Sequence, residues 1–463
     1  MALLVSKNRL ARSRTLMLIA LAFPLIGQSP AIAQAPASRE GLDQERLRQQ
    51  ERERLLRQRQ EATPDVRLDA PTEPAANERL PGDETPCFRI QRIELRGDAA
   101  DRFQWALTHA DRTGDGTADA PVGRCLGSRG INLVMKRIQN AIIERGYVTT
   151  RILATPQDLT GGTLLLTLLP GRIRGIRFAS ETSARGASWN AFPAAPGDLL
   201  NLRDIEQALE NLKRVPTADA NIQIEPTKGD DAKPGESDIV IFWQQKFPVR
   251  LNLSADDSGS RSTGKYQGGF TFSYDHPWAL NDLFYVSFYR ELGSSDSDDR
   301  GTRGQTIHYS LPLGYWTLGV TASRNRYFQS VPGASQTYVY RGKSAGNELK
   351  LSRIVYRDAV RKSHASLAGW TRSSNNFIDD TEVLVQRRRT AGWEIGIGHR
   401  EFLGAGNLDV TFAHRRGTGA AGALTAPEDA FGEGASHSRF STGSHCSRTG
   451  HRCGERRQRD ERT

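Results

Sequence analysis

GYVTTRILATPQDLTGGTLLLTLLPGRI, residues 146–173, decides how the rest of the chain divides. The residues before it place Ile131, Val134, Ile138 and Ile142 on one helical face, with Lys136, Arg137, Glu144 and Arg145 elsewhere. Gly146 therefore reads as a helix stop, the position where a glycine can turn left-handed. Residues 148–153 and 163–169 are rich in β-branched and leucine side chains, and Gly161-Gly162 supplies a turn between two strands. Pro170-Gly171 ends the second strand.

Working outward, Phe88, Ile90, Ile93 and Leu95 suggest a strand within residues 87–97, and residues 103–109 suit a short helix. The order strand, short helix, helix, strand, strand is then complete. Residues 111–119, DRTGDGTAD, look like part of a calcium loop. Val122 stands where the bidentate glutamate would be, so the stretch reads as a polar loop. A second round follows: a strand at 173–178, a helix at 202–215 with Leu202, Ile205, Leu209 and Leu212 on one side, and strands at 220–225 and 237–243. The two rounds form an internal repeat of roughly 75–85 residues.

The N-terminal end reads as delivery apparatus. Lys7, Arg9, Arg12 and Arg14 precede an apolar run at 16–26, and Ala31-Ile32-Ala33 offers a cleavage site, so residues 1–33 have the form of a signal peptide. Residues 40–61 suit a helix polar nearly all round, with Glu45/Arg48, Glu51/Arg54 and Glu53/Arg57 at helical spacing. Such a helix is either solvated or part of a coiled coil, or it plugs a water-filled pore. Residues 63–86 hold five prolines among many acids and read as an extended, poorly ordered linker.

From residue 248 the texture changes. Val249, Leu251 and Leu253 alternate with Arg250, Asn252 and Ser254, and Ile307, Tyr309 and Leu311 with Thr306, His308 and Ser310. Trp393, Ile395 and Ile397 continue the pattern, as do Leu408, Val410 and Phe412. Long polar stretches at 256–264, 293–304, 328–343 and 373–382 alternate with short turns near 276–281, 312–315, 356–362 and 403–406. A polar second face and loops of alternating length predict a transmembrane barrel, with about nine strands up to Arg416. Pro277-Trp278 and Tyr315-Trp316 mark an aromatic girdle at the short-turn end.

After Glu433 the alternation collapses. The tail carries seven arginines against Glu455, Asp460 and Glu461, and its histidines and cysteines match no zinc module. It reads as non-barrel, with a shifted reading frame as the leading explanation. Tail and N-terminal segment contribute four positive charges each, leaving only about two of the net +10 for the body. That argues against nucleic-acid binding. Cys87 and Cys125 flank the first module and can pair in an oxidising compartment; Cys446 and Cys453 lie in the tail. No triad, metal cluster or phosphate loop is evident, so neither enzyme activity nor a cofactor is expected.

In its order of parts, residues 1–433 resemble the outer-membrane transporters of two-partner secretion, the haemolysin/haemagglutinin secretion-activation family of the Omp85-type superfamily. Gly146-Tyr147-Val148-Thr149-Thr150-Arg151, Pro156-Gln157-Asp158-Leu159, Gly162-x-Leu164 and Pro170-Gly171 carry the resemblance. It implies a signal peptide (1–33), a plug-helix region (34–62), a linker (63–86), two α/β POTRA modules of βααββ type (87–172 and 173–246), the first part of an antiparallel transmembrane β-barrel (247–433) and a tail (434–463). Cys87 and Cys125 resemble the family's cysteine pair. Family members close sixteen strands and carry a Val-Arg-Gly-Tyr/Phe motif in the lumen; the tetrapeptide is absent from this sequence, and the barrel is expected to be incomplete. Nine strands leave an unpaired edge, so this chain alone is not expected to work as a pore.

The resemblance further implies transport of a secreted exoprotein carrying an N-terminal secretion domain. Its other implied partners are outer-membrane lipid and the barrel assembly machinery, with the POTRA modules in the periplasm. Strand addition makes Tyr147, Val148, Thr149, Thr150, Arg151, Ile152 and Leu153 the candidate client-binding surface. An outer-membrane assembly factor and a truncated, non-transporting periplasmic binding module or pseudogene product are the competing readings.

Overall fold

The computed structural model describes residues 37–60, 65–70, 78–113, 116–180, 182, 185–230, 232–260, 262–293, 300–404, 406–425, 438–448 and 451–453. The expected signal peptide lies outside them. Helix α1 is Ala37–Gln60.

The first module contains β1 (Phe88–Arg89), β2 (Arg92–Gly97), a 3-10 helix (Ala100–Asp111), β3 (Cys125–Leu126), α2 (Ser128–Glu144), β4 (Arg151–Leu153) and β5 (Thr163–Leu169). Its sheet runs β2-β5-β4, with β2 parallel and β4 antiparallel to β5. Alternate leucines of β5 (Leu164, Leu166, Leu168) join Val134, Ile138 and Ile142 of α2 in one buried core. A disulfide joins Cys87 to Cys125 with the Cα atoms 5.2 Å apart, beside the β1–β3 pair.

The second module contains β6 (Arg172–Phe178), α3 (Leu202–Leu212), β7 (Ala218–Pro226) and β8 (Glu236–Gln245), in the sheet order β6-β8-β7. Among the described residues it lacks the first helix of the expected βααββ plan. Residues 186–200 instead form a loop broken by Gly186, Pro193, Pro196 and Gly197. That loop meets the next domain: Asn190 Nδ2 donates to Leu280 O (2.5 Å), Asn281 Nδ2 to Ala187 O (2.7 Å) and Gly314 N to Asn190 O (2.8 Å). From α3, Asn211 Nδ2 donates to Gly314 O (2.8 Å), and the hydroxyl of Tyr315 donates to Asp204 Oδ1 (2.6 Å). Burial pushes the Asp204 carboxyl above its usual range, against the pull of the Tyr315 bond.

The long strands are β9 (Val249–Asp256), β10 (Gln267–Asp275), β11 (Leu283–Glu291), β12 (Arg300–Leu313), β13 (Trp316–Pro332), β14 (Thr337–Arg357), β15 (Arg361–Ile378), β17 (Arg388–Leu403) and β18 (Gly406–Thr418), with the short β16 (Thr381–Glu382) beside β15. Each pairs antiparallel with the next in one sheet. One face is apolar and open: Leu253 is 80% exposed, and Leu251, Ile307, Val320, Leu349, Ile397 and Phe412 are exposed with it. The other is polar and covered: Thr271, Ser273, Ser287, Thr306, His308, Ser310, Thr321, Ser323 and Asn325 are buried. Buried polar and exposed apolar is the inverse of a soluble sandwich and is the sidedness of a membrane barrel wall. Trp278 and Trp316 are exposed at the short-turn rim, where the second module docks.

Three expectations are corrected. Residues 328–343 are not a long loop: β13 and β14 run on as a ribbon whose connection is 333–336, and β15 likewise runs to Ile378. Ladder bonds need no apolar face, so pairing continues past the level where alternation stops. The tail does not lie wholly outside the sheet: β19 (Ser438–Arg448) pairs with β18, and β20 (His451–Cys453) with β19. An edge strand offers a row of backbone donors and acceptors to any extended neighbour, whatever its side chains. Among the described residues, β9 and β20 stand at opposite ends of the sheet path. The linker, finally, is not loose over the segments described, as its contacts show.

Candidate functional site

The polar wall faces the second half of α1. Arg57 Nη1 donates to Glu348 Oε1 (2.8 Å) and its Nη2 to Thr321 Oγ1 (3.1 Å); Thr321 and Glu348 are partners across β13 and β14. Ser273 Oγ donates to Gln60 Oε1 (3.0 Å), Ser344 Oγ to Gln49 Oε1 (3.2 Å), and the Arg52 guanidinium lies 4.5 Å from the centre of the Tyr289 ring. A helix without an apolar stripe is held here by its polar groups, which find partners on a polar wall. Residues 49–60 thus lie along the polar face of the sheet.

Beyond α1 the linker is gripped twice. Near its start, Val66 N donates to Glu210 Oε1 (3.2 Å) and Leu68 N to Glu206 Oε1 (2.8 Å). Carboxylates at i and i+4 of a helix stand about 6 Å apart, and alternate residues of an extended chain about 6.6 Å. The two repeats match, so the linker lies along α3 in register. Arg357, at the end of β14, completes the grip with its side chain 4% exposed. Its Nε donates to Glu206 Oε2 (2.9 Å), Nη1 to Gln207 Oε1 (3.1 Å), and Nη2 to Glu210 Oε1 (3.0 Å) and Val66 O (2.5 Å). Lys362 Nζ donates to Glu210 Oε2 (2.5 Å), and Arg203 pairs with Glu206. The odd residues face the barrel: Asp65 lies 3.7 Å from Arg400, and the Arg67 guanidinium 3.5 Å from the centre of the Phe402 ring.

The far end of the linker is held on the first module. Leu80 is buried in that core, and its N–H donates to Asp119 Oδ2 (2.8 Å). Arg137 Nη2 donates to the same oxygen (2.6 Å) and to Glu78 O (3.0 Å). Glu84 caps α2 from outside, accepting from Gly127 N, Arg129 N and Gly130 N at 2.8–3.0 Å. Burial alone would raise both acids. The Arg137, Leu80 and Arg124 contacts outweigh it for Asp119, and the three amides with Arg129 for Glu84, so both carboxyls sit below the usual range.

The candidate docking strand is shorter than expected. Only Arg151, Ile152 and Leu153 form β4; residues 147–150 are a turn. Val148 is buried in the core of the second module, and Thr150 is 0% exposed, its Oγ1 accepting from Gly171 N (3.0 Å). Tyr147 is half-buried against Phe103, with ring centres 4.9 Å apart, and Thr149 is half-buried beside Gly171. The stretch 146–150 is therefore the joint between modules, while Arg151 and Leu153 (46% exposed) face outward around a buried Ile152. β4 is an edge of its sheet, yet Gln139 of α2 occupies that edge. Its Nε2 donates to Thr150 O (2.7 Å), and its Oε1 accepts from Ile152 N (2.9 Å). Gln157 does the same on β5, donating to Leu165 O (2.8 Å) and accepting from Leu165 N (2.7 Å). Sequence reasoning missed both amides and the whole Glu206–Arg357–Glu210 cluster.

This order of parts agrees with the known proteins the chain matches. A family model for POTRA domains of ShlB type matches residues 88–171, a further POTRA model 172–226, and the haemolysin secretion/activation protein family ShlB/FhaC/HecB residues 235–450. An outer membrane transporter CdiB of Escherichia coli O6:K15:H31 (strain 536 / UPEC) is 30% identical over 419 residues, covering 88% of this chain and 68% of the relative. The chain belongs to the haemolysin secretion/activation family. Another member, the outer membrane transporter CdiB-2 of Burkholderia pseudomallei (strain 1026b), is 36% identical over 404 residues, or 83% of this chain and 66% of that one. The solved structure of CdiB from Escherichia coli superposes with a TM-score of 0.72 at 27% identity, over 85% of this chain and 70% of that one. CdiB from Acinetobacter baumannii gives 0.71 at 28%, over 82% and 71%. The chain spans about two thirds of the length of the curated relatives it matches. Family membership places it in the outer membrane, with the POTRA modules on the periplasmic side.

Proposed function

We propose that this chain supplies the POTRA modules, the plug and the first barrel strands of the transporter component of a two-partner secretion system, which carries a large exoprotein of haemagglutinin, haemolysin or adhesin type across the outer membrane. The observation that carries this reading is the polar helix 47–60 bonded to the polar inner face of a membrane sheet, behind two POTRA modules. The relatives named as CdiB and haemolysin transporters support it. Transport here needs no catalytic group. An extended client adds to the β4 edge at Arg151, Ile152 and Leu153, with Gln139 yielding its two bonds, and then enters the pore as the plug leaves. The exposed apolar row faces outer-membrane lipid, and insertion falls to the barrel assembly machinery.

The test is binding of an unfolded amino-terminal secretion domain from the cognate exoprotein to the detergent-solubilised chain, followed by fluorescence anisotropy. Saturable binding is expected, weakened at least tenfold by Ile152→Pro, which removes the edge donor that Gln139 holds at rest. No saturable binding to the folded wild-type chain overturns the proposal.

A further inference from the structure

The grip of α3 on the linker has a consequence for the plug that follows from length alone. α1 has 24 residues and is about 36 Å long. Only five residue steps separate Gln60 from Asp65, a tether that reaches at most about 18 Å when taut. While residues 65–68 stay on α3 and against the barrel rim, Gln60 can stand no farther than that from Asp65, about half the length of the helix. If they let go, the next hold among the described residues is Glu78, eighteen steps from Gln60, and the reach grows to about 65 Å.

We propose that residues 65–68, α3 and Arg357 form a latch, and that release of the linker from Glu206 and Glu210 is the step that permits the plug to withdraw. The chemistry suits a reversible device. The linker brings two amide N–H donors, one carbonyl and the apolar contacts of Val66, Leu68 and Ala70. It brings no charge into the buried cluster. When it leaves, Glu206 and Glu210 keep Arg203, Arg357 and Lys362 as partners, so no buried carboxylate is stranded. The same α3 is fixed to the rim through Asn211 and Asp204 and to the first module through Asn201. Movement of the POTRA pair on capturing a client is thereby applied directly to the latch.

The inference rests on α1 being the plug of the proposed transporter, and its test uses the resting chain with no client, so that a failure of client binding leaves it readable. Hydrogen–deuterium exchange is followed at the amides of 49–60 and of α3, in the membrane-inserted chain. The double variant Val66→Pro/Leu68→Pro removes the two donors and leaves every charge in place; plug amides are expected to exchange about tenfold faster, with α3 unchanged. Insertion of about twelve Gly/Ser residues between Gln60 and Asp65 supplies the missing reach. It is expected to give the same faster plug exchange while Val66 and Leu68 stay protected. Plug amides unmoved in either variant overturn the latch. Should α3 lose protection in the proline variant, the insertion, which touches no contact, decides alone.

Discussion

Gly146 and Asn201 meet across the joint between the POTRA modules, where a Cβ on Gly146 would stand 2.3 Å from Asn201 Oδ1. Gly146 ends α2 with φ 95°, a left-handed conformation that a side chain strains. Its carbonyl accepts from Leu202 N (2.8 Å), and Asn201 Nδ2 donates to Arg145 O (3.2 Å). Asn201 also caps α3, its Oδ1 accepting from Arg203 N (2.8 Å). The last turn of one module's helix thus feeds the first turn of the next. The modules are coupled by backbone, in keeping with the buried positions of Val148 and Thr150.

Gly146→Ala is therefore expected to destabilise the POTRA pair by about 1–3 kcal/mol through backbone strain, and further through collision with Asn201. Asn201→Ala is expected to cost about 1 kcal/mol as a lost cap. Denaturant unfolding followed by tryptophan fluorescence checks both. An unchanged midpoint in the glycine variant rejects the joint as a tightly packed contact.

The Asp119–Arg137 and Glu84 contacts predict a pH response. Both carboxyls sit below their usual range in the folded chain, so their stabilisation is full above the unfolded values near pH 4. It is lost as pH falls through the depressed folded values. Amides around Leu80 and the first turn of α2 are expected to stay protected from pH 7 to 5 and to open below about pH 4. Asp119→Asn should remove part of the acid step and lower stability at pH 7. An acid step of equal size in Asp119→Asn rejects Asp119 as its source.

The sequence showed some of this plainly and hid the rest for physical reasons. Strands of the wall declare themselves because lipid and water impose opposite polarities on alternate residues, as at Leu251 and Leu253 against Thr271 and Ser273 across the sheet. The helices α2 and α3 declare their apolar faces through Ile138 and Ile142, Ile205 and Leu209. Periodicity, however, reports only which face is apolar. Glu206 and Glu210 lie off the apolar face of α3, yet both are buried, because what covers them lies about 140 residues away in the chain at Val66 and Arg357. The candidate docking strand starts three residues later than expected, at Arg151. Val148 and Thr150 are β-branched, but the left-handed Gly146 and the Thr150 bond to Gly171 hold them in a turn. Gln139 carries no signal in a single sequence, since a side-chain amide that imitates a strand looks like any surface glutamine.

That imitation at Gln139 makes a prediction with two opposite signs. Gln139→Leu removes both bonds and leaves Thr150 O and Ile152 N facing outward without them. The first module is expected to lose about 1–3 kcal/mol, the usual effect of leaving polar backbone groups unsatisfied. The bared edge is expected to add another strand more readily, giving tighter client binding or dimers in light scattering. Lower stability with unchanged association would leave Gln139 as a brace and nothing more.

The plug contacts on the wall can be weighed separately from the latch. Arg57 and Glu348 are only part-buried, at 30% and 21% side-chain exposure, in a lumen expected to be wet. Such a pair is screened and is worth about 1 kcal/mol or less. Arg57→Ala is therefore expected to raise exchange at amides 49–60 by about fivefold or less, and 0.5 M salt should produce most of the same rise in the wild type. The latch donors Val66 N and Leu68 N lie on buried carboxylates and should respond little to salt. If Arg57→Ala frees the helix as fully as the linker insertion does, the wall pair, and not tether length, sets the resting position of the plug.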